Sequence, residues 1–141
     1  MSNYKTIELD AKYIPKKSEK YMSDQQKAYF WRVLTAQKEE ILADSDKILN
    51  AVRLADKVDN EGVGDDSDRS SLEQEIQLNL RMSDRNRGLL AKINTALDRL
   101  DKGTYGYSVV SGEEIGLQRM LARPLATMTV EEQEEYEMKK K

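Results

Sequence analysis

The chain contains no cysteine and no histidine. Those two absences remove thiol nucleophiles, disulfides, Cys/His zinc sites and imidazole acid–base catalysis together. They also mean that cysteine usage says nothing about the redox compartment. Proline is scarce. Only Pro15 and Pro124 interrupt 141 residues, so everything from Ser23 to Thr104 is free to be helical. No apolar run approaches the roughly 20 residues that span a bilayer. No apolar stretch follows Met1–Lys5 either, so the sequence predicts no membrane segment, no secretory signal and a cytoplasmic protein. A strong charge of one sign is missing as well, and a net charge of -3 argues against non-specific duplex binding as the main activity. With no nucleophile–base pair and no phosphate-binding glycine loop, an independent enzyme is not expected.

What is present suits long solvated helices: 38% of residues are hydrophobic and 35% charged, too polar a mixture for one large spherical core. Residues 1–22 have no period, are mostly polar, and carry Lys16, Lys17 and Lys20 around Pro15. They read as an N-terminal arm, extended or disordered. Ser23-Asp24-Gln25-Gln26 is an N-cap signature, in which the Ser23 hydroxyl and the Gln26 amide satisfy opposite backbone donors. A first helix is expected from about Asp24 to about Val58. Its stripe is Phe30, Leu34, Ile41, Ile48 and Ala55, flanked by Leu49 and Val52, and the spacing from Leu34 onward is a heptad. At about 1.5 Å per residue it would be on the order of 50 Å long.

Gly62 and Gly64 break the pattern, and Gly64-Asp65-Asp66-Ser67-Asp68-Arg69-Ser70 is an acidic turn. A second helix is expected from near Ser67 to about Lys102, where Gly103 is a natural stop. Its seam is Leu72, Ile76, Asn79, Ser83, Asn86, Leu90, Ile93, Leu97 and Leu100, polar in the middle, where polar seam positions fix register at a cost in packing. Two such stripes predict an antiparallel coiled-coil hairpin over 23–103 with its tip at about 59–70. Such a hairpin carries negative charge to a distant point.

The remaining segment, 104–141, reads as a small globular head. Tyr105–Gly112 suggests a β-turn or hairpin, Glu113–Arg123 a short helix stopped by Pro124. Thr129-Val130-Glu131-Glu132 is a second capping box opening a C-terminal helix that runs from acidic residues to Lys139-Lys140-Lys141. Tyr29, Phe30 and Trp31 are expected to pack under this segment.

Three blocks resemble the DksA/TraR family of bacterial transcription factors, over a stretch from about Tyr21 to about Glu132. Asp65-Asp66-Ser67-Asp68-Arg69-Ser70 is similar to the family's Asp-x-x-Asp-x-Ala tip. Leu100-Asp101-Lys102-Gly103-Thr104-Tyr105-Gly106-Tyr107 is similar to the Leu-x-x-Gly-x-[Phe/Tyr]-Gly-x run that leads into a zinc finger. Gly112 to Pro124 is close to Gly-x-x-Ile-x-x-x-Arg-Leu-x-Ala-x-Pro, with Met120 at the leucine position, and is the most specific of the three. Where the family pattern places four zinc cysteines, this chain has Ser108, Ser111, Thr129 and Glu132, which cannot hold a structural zinc ion. The expected fold is therefore mainly α: a long hairpin with an acidic tip, a head resembling a zinc finger without zinc, and a C-terminal helix. Packing of Tyr105, Tyr107, Val109, Ile115, Leu117 and Leu121 would replace the metal.

The resemblance implies a monomeric regulator that binds RNA polymerase, inserts the hairpin into the secondary channel and alters open-complex lifetime together with ppGpp, without reading DNA sequence. Asp65 and Asp68 fall on the tip acids and Ser70 on the usual alanine. Lys92 and Arg123 fall on family positions that contact ppGpp, while a third basic contact is here Gln133. No other cofactor and no metal is implied. Plainer readings stand beside these. Asp is favoured at any helix start, Lys92 and Arg123 are also what a solvated surface carries, and Arg81, Arg85 and Arg87 read as a solvated face. Asp65, Asp66 and Asp68 lack the glycine and distal glutamate of a calcium loop. A Gre-like transcript-cleavage factor, whose tip acids would help hold a second metal ion, and a plain coiled-coil interaction module are the alternatives.

Overall fold

The computed structural model describes the backbone of residues 4–60 and 66–140, with side chains over 4–57 and 69–140. Among the described residues, four α-helices follow a short 3-10 turn at Tyr4–Thr6: α1 (Asp24–Asn60), α2 (Asp66–Lys102), α3 (Leu117–Ala122) and α4 (Val130–Lys139). No helix among the described residues is long and apolar enough to cross a membrane. The two long helices have the expected bounds because their signals are local. At the C-terminus of α2, Gly103 takes φ 79°, a left-handed conformation that costs glycine little. Thr104 N–H then donates to the Arg99 carbonyl (2.9 Å) and Gly103 N–H to Leu100 (3.3 Å), the paired bonds of a Schellman stop. The N-cap of α1 differs in detail from the expected box. Gln26 N–H reaches the Ser23 hydroxyl at 3.4 Å, but the Gln26 side chain accepts from Met22 N–H (2.8 Å) rather than from Ser23.

The chain divides into two units, residues 37–92 and the remainder. Within 37–92, Ile48 and Ala55 of α1 are buried and Ile41, Leu72, Ile76 and Leu90 half-buried, so the heptad stripes are the packed faces. Leu49, expected at the flank of the seam, is instead 49% exposed. At the polar centre of the seam, Asn86 is buried and its amide donates to the Asp44 carboxylate (2.8 Å) and the Ser45 hydroxyl (3.4 Å). That bond joins α1 to α2 at one register.

The other unit is the head. Phe30, Leu34, Ile93, Leu100 and Met120 are its innermost apolar side chains. Tyr29 stands edge-on to Phe30 and Tyr105 is tilted against it, with ring centroids 5.4 Å apart in both pairs. Burying a ring of this size stabilises by about 2–3 kcal/mol. Residues 104–115 form no strand. A single antiparallel bridge, Tyr107 with Glu114, is closed by Ser108 N–H to Glu113 (2.8 Å) and Ile115 N–H to Gly106 (2.9 Å). Val109 is 61% exposed and takes no part in the packing expected of it. α3 is shorter than expected, since Glu113–Gly116 are spent on the bridge and turn rather than on helix.

The arm is the larger departure. Residues 4–22 are folded onto the head. Tyr4 is buried and its hydroxyl donates to Asp101, the Arg32 guanidinium donates to the Ile7 carbonyl (2.6 Å), and Pro15 is buried. The Tyr21 hydroxyl donates to the Gly106 carbonyl (2.6 Å) and accepts from Gly116 N–H (3.2 Å), and burial pushes its pKa up to about 12. Gly106 is needed there. Its φ is 89°, and a Cβ would come within 2.7 Å of the Met22 side chain.

Candidate functional site

Two places on the head and one on the hairpin carry the residues singled out by sequence. The first is the corner where Ser108, Ser111, Thr129 and Glu132 meet. Thr129 caps α4: Glu132 N–H donates to its hydroxyl (3.2 Å) and Thr129 N–H donates back to the Glu132 carboxylate (3.0 Å). Across the turn, the Ser108 hydroxyl accepts from the N–H groups of Val110 (3.0 Å) and Ser111 (3.3 Å). Hydrogen bonding from Ser108 first, then from the Thr129 backbone, with smaller contributions from Ser111 and the Thr129 hydroxyl, lowers the Glu132 pKa to about 2. The four positions are therefore together in space, but as a hydrogen-bonded corner. Packing is part of what holds the head, and this polar corner is the part that the apolar pattern did not reveal. Among the described residues no cluster of three or more metal-ligating side chains exists.

The second place is a cavity of about 470 Å³. Its charged walls are Lys17, Arg119 and Arg123, and Ile115, Ala122 and Val130 give it an apolar side. Arg119 is half-buried and anchored through Nε to the Met128 carbonyl (3.0 Å), which ties α3 to the loop before α4. Arg123 is exposed, just past α3 where the chain turns at Pro124. Gln133 is not part of this wall. Its amide donates along α4 to Glu137 (3.2 Å).

On the hairpin, Lys92 is exposed on α2 in the 37–92 unit. Ser70 is exposed near the start of α2, Asp68 lies in the first turn with only its backbone described, and Asp65 lies outside the described residues. Arg81, Arg85 and Arg87 are exposed, and Arg87 pairs loosely with Asp84 at 3.8 Å, a surface contact worth little in water.

Sequence reasoning missed Lys17 and Arg119 as cavity residues. Lys17 stands in an aperiodic stretch that gives no facing information, and Arg119 is half hidden inside a family motif. Arg99 was missed too. Its guanidinium donates to the carbonyls of Thr104 (2.8 Å) and Tyr107 and so closes the segment after α2.

Comparison with known proteins bears on the same elements. The family described as DnaK suppressor protein DksA, N-terminal domain, matches residues 26–100. The RNA polymerase-binding transcription factor DksA of Caulobacter vibrioides is 43% identical over 129 residues, covering 92% of this chain and 88% of that protein. The protein of the same name from Escherichia coli K12 is 34% identical over 119 residues, covering 84% and 76%. Among solved structures, transcription factor DksA2 from Pseudomonas aeruginosa superimposes with a TM-score of 0.75 at 36% identity, covering 85% of this chain and 89% of that one.

Proposed function

The chain belongs to the DksA family, and from that premise we propose that it is a transcription regulator that acts by binding bacterial RNA polymerase. The observation that carries the proposal is the extent of the likeness. The match to a factor named for polymerase binding runs over 92% of this chain, through both long helices and the head, rather than over a coiled coil alone. A plain coiled-coil module would not need the Arg119–Pro124 segment or the corner at Thr129. Nothing in the site favours catalysis by the protein itself.

In the finer reading, the hairpin enters the polymerase secondary channel and presents Asp65 and Asp68 near the active-site magnesium region, with Ser70 where relatives carry alanine. Asp68 lies in the first turn of α2, where the helix dipole stabilises a carboxylate. ppGpp acts as effector through Lys92 and Arg123, both exposed. The factor works in the cytoplasm as a monomer and shifts open-complex lifetime without a DNA sequence readout of its own.

The test is open-complex lifetime on a ribosomal RNA promoter with purified polymerase, with and without ppGpp, for wild type and Asp68→Asn. The expected result is a lifetime shortened several-fold by wild type, and loss of most of that effect in Asp68→Asn with polymerase binding retained. Binding without any change in lifetime, accompanied by cleavage of backtracked RNA, would replace this reading with the Gre-like one.

A further inference from the structure

The cation-lined cavity of the head has a wall contributed by the N-terminal arm, and the arm is built to hold it. Three cationic side chains, Lys17, Arg119 and Arg123, face one concavity of about 470 Å³ with no carboxylate among its lining residues, in a chain whose net charge is -3. Among the described residues, neither Lys17 nor Arg123 is in an ion pair. Concentrated, unneutralised positive charge at a concave site favours an anion with several charges. The apolar side formed by Ile115, Ala122 and Val130 suits a flat organic part beside the phosphates.

Lys17 does not hang from a loose tail. The fully buried Gln26 donates through its side-chain amide to the Lys16 carbonyl (3.3 Å). Lys16 N–H donates to the Glu19 carboxylate (2.9 Å), Glu19 N–H returns to the Lys16 carbonyl (3.1 Å), and the Tyr13 hydroxyl holds the same carboxylate (2.8 Å). The turn that carries Lys17 is thus stapled from both sides. Less conformational freedom is then lost when the ammonium engages a ligand.

We propose that Lys17 is a specificity-determining residue of an effector site in this cavity, where with Arg119 and Arg123 it recognises a nucleotide bearing closely spaced phosphates. The choice of a nucleotide, and of ppGpp as its probe, rests on the proposed function above. The cavity, the arm and the charges do not.

The experiment is equilibrium dialysis of labelled ppGpp against the full chain, alone and bound to polymerase, for wild type, Lys17→Ala, Lys17→Arg and Lys20→Ala. GDP and inorganic pyrophosphate serve as competitors. Lys17→Ala should weaken binding about tenfold, the size of one charge-assisted hydrogen bond. Lys17→Arg keeps the positive charge and should lose less than Lys17→Ala, and Lys20→Ala should match wild type. Wild-type affinity in Lys17→Ala, or no saturable binding in either form, overturns the proposal. Pyrophosphate competing as well as ppGpp overturns the nucleotide assignment. The ppGpp-free effect on open-complex lifetime, measured alongside, should be the same in wild type and Lys17→Ala. If wild type has no such effect, the polymerase reading fails while a Lys17-dependent binding result stands.

Discussion

In the 37–92 unit the buried apolar side chains among the described residues are Ile48 and Ala55, while Leu42, Leu54, Leu78, Leu80 and Met82 are each at least 40% exposed. In the head, Phe30, Leu34, Ile93, Leu100 and Met120 are all buried to 1% exposure or less. The two units solve folding differently. The helices of 37–92 need only continue a period once a first turn exists, because propagation adds one hydrogen bond per residue fixed. The head must bring distant segments together: Tyr4 meets Asp101, 97 positions away, and Tyr21 meets Gly106, 85 positions away. Such a division places the global stability in the head and the low-energy opening in the hairpin.

Breaking the head should show the largest effect. Phe30→Ala removes a ring with no exposed surface that contacts Tyr29 and Tyr105, and should cost about 3–5 kcal/mol. That is a large share of a small protein's stability. Urea unfolding followed by far-UV circular dichroism measures it, and a loss below about 1 kcal/mol would contradict the division.

A change in the hairpin should run the other way. Asn86→Leu exchanges the buried amide bonded to Asp44 for an apolar side chain, and Asp44 is exposed and able to return to water. The unit should gain about 1 kcal/mol, because a polar seam position fixes register at a cost in stability. A lower melting temperature would mean that Asn86 is a net stabiliser and not only a register key.

The smallest effect is a slope. Glu132 has its pKa lowered from the ordinary 4.5 to about 2 by its hydrogen bonds to Ser108 and to Thr129. A folded-state pKa below the unfolded one gives stability that is complete above about pH 4.5 and is lost as pH falls toward 2. Melting temperature scanned over that window should fall less steeply in Glu132→Gln than in wild type. Parallel curves would remove Glu132 from the acid response.

The hairpin was legible because its signals repeat: the heptad from Leu34 to Ala55, the alternating 4–3 spacing from Leu72 to Leu100, and the stop at Gly103 all read locally. The acidic turn at the tip falls largely outside the described residues. The head was half legible. Thr129 and Glu132 announce a capping box by their spacing, yet their meeting with Ser108 depends on a bridge between Tyr107 and Glu114 that no periodicity foretells. The arm was not legible at all, since its order comes from side chains bonding distant backbone groups, as Gln26 does with Lys16 and Arg32 with Ile7. Of the cavity, Arg123 was visible through the family pattern, whereas Lys17 enters only through that folded arm.

The capping box at Thr129 bears on how this protein comes into being. Its two hydrogen bonds span three residues, and contacts that short close early and quickly compared with those between distant segments. Everything the corner needs is in the polypeptide by the time residue 132 has been added. The corner can therefore close on groups the chain itself carries: the Thr129 hydroxyl, the Glu132 carboxylate and their two backbone N–H groups.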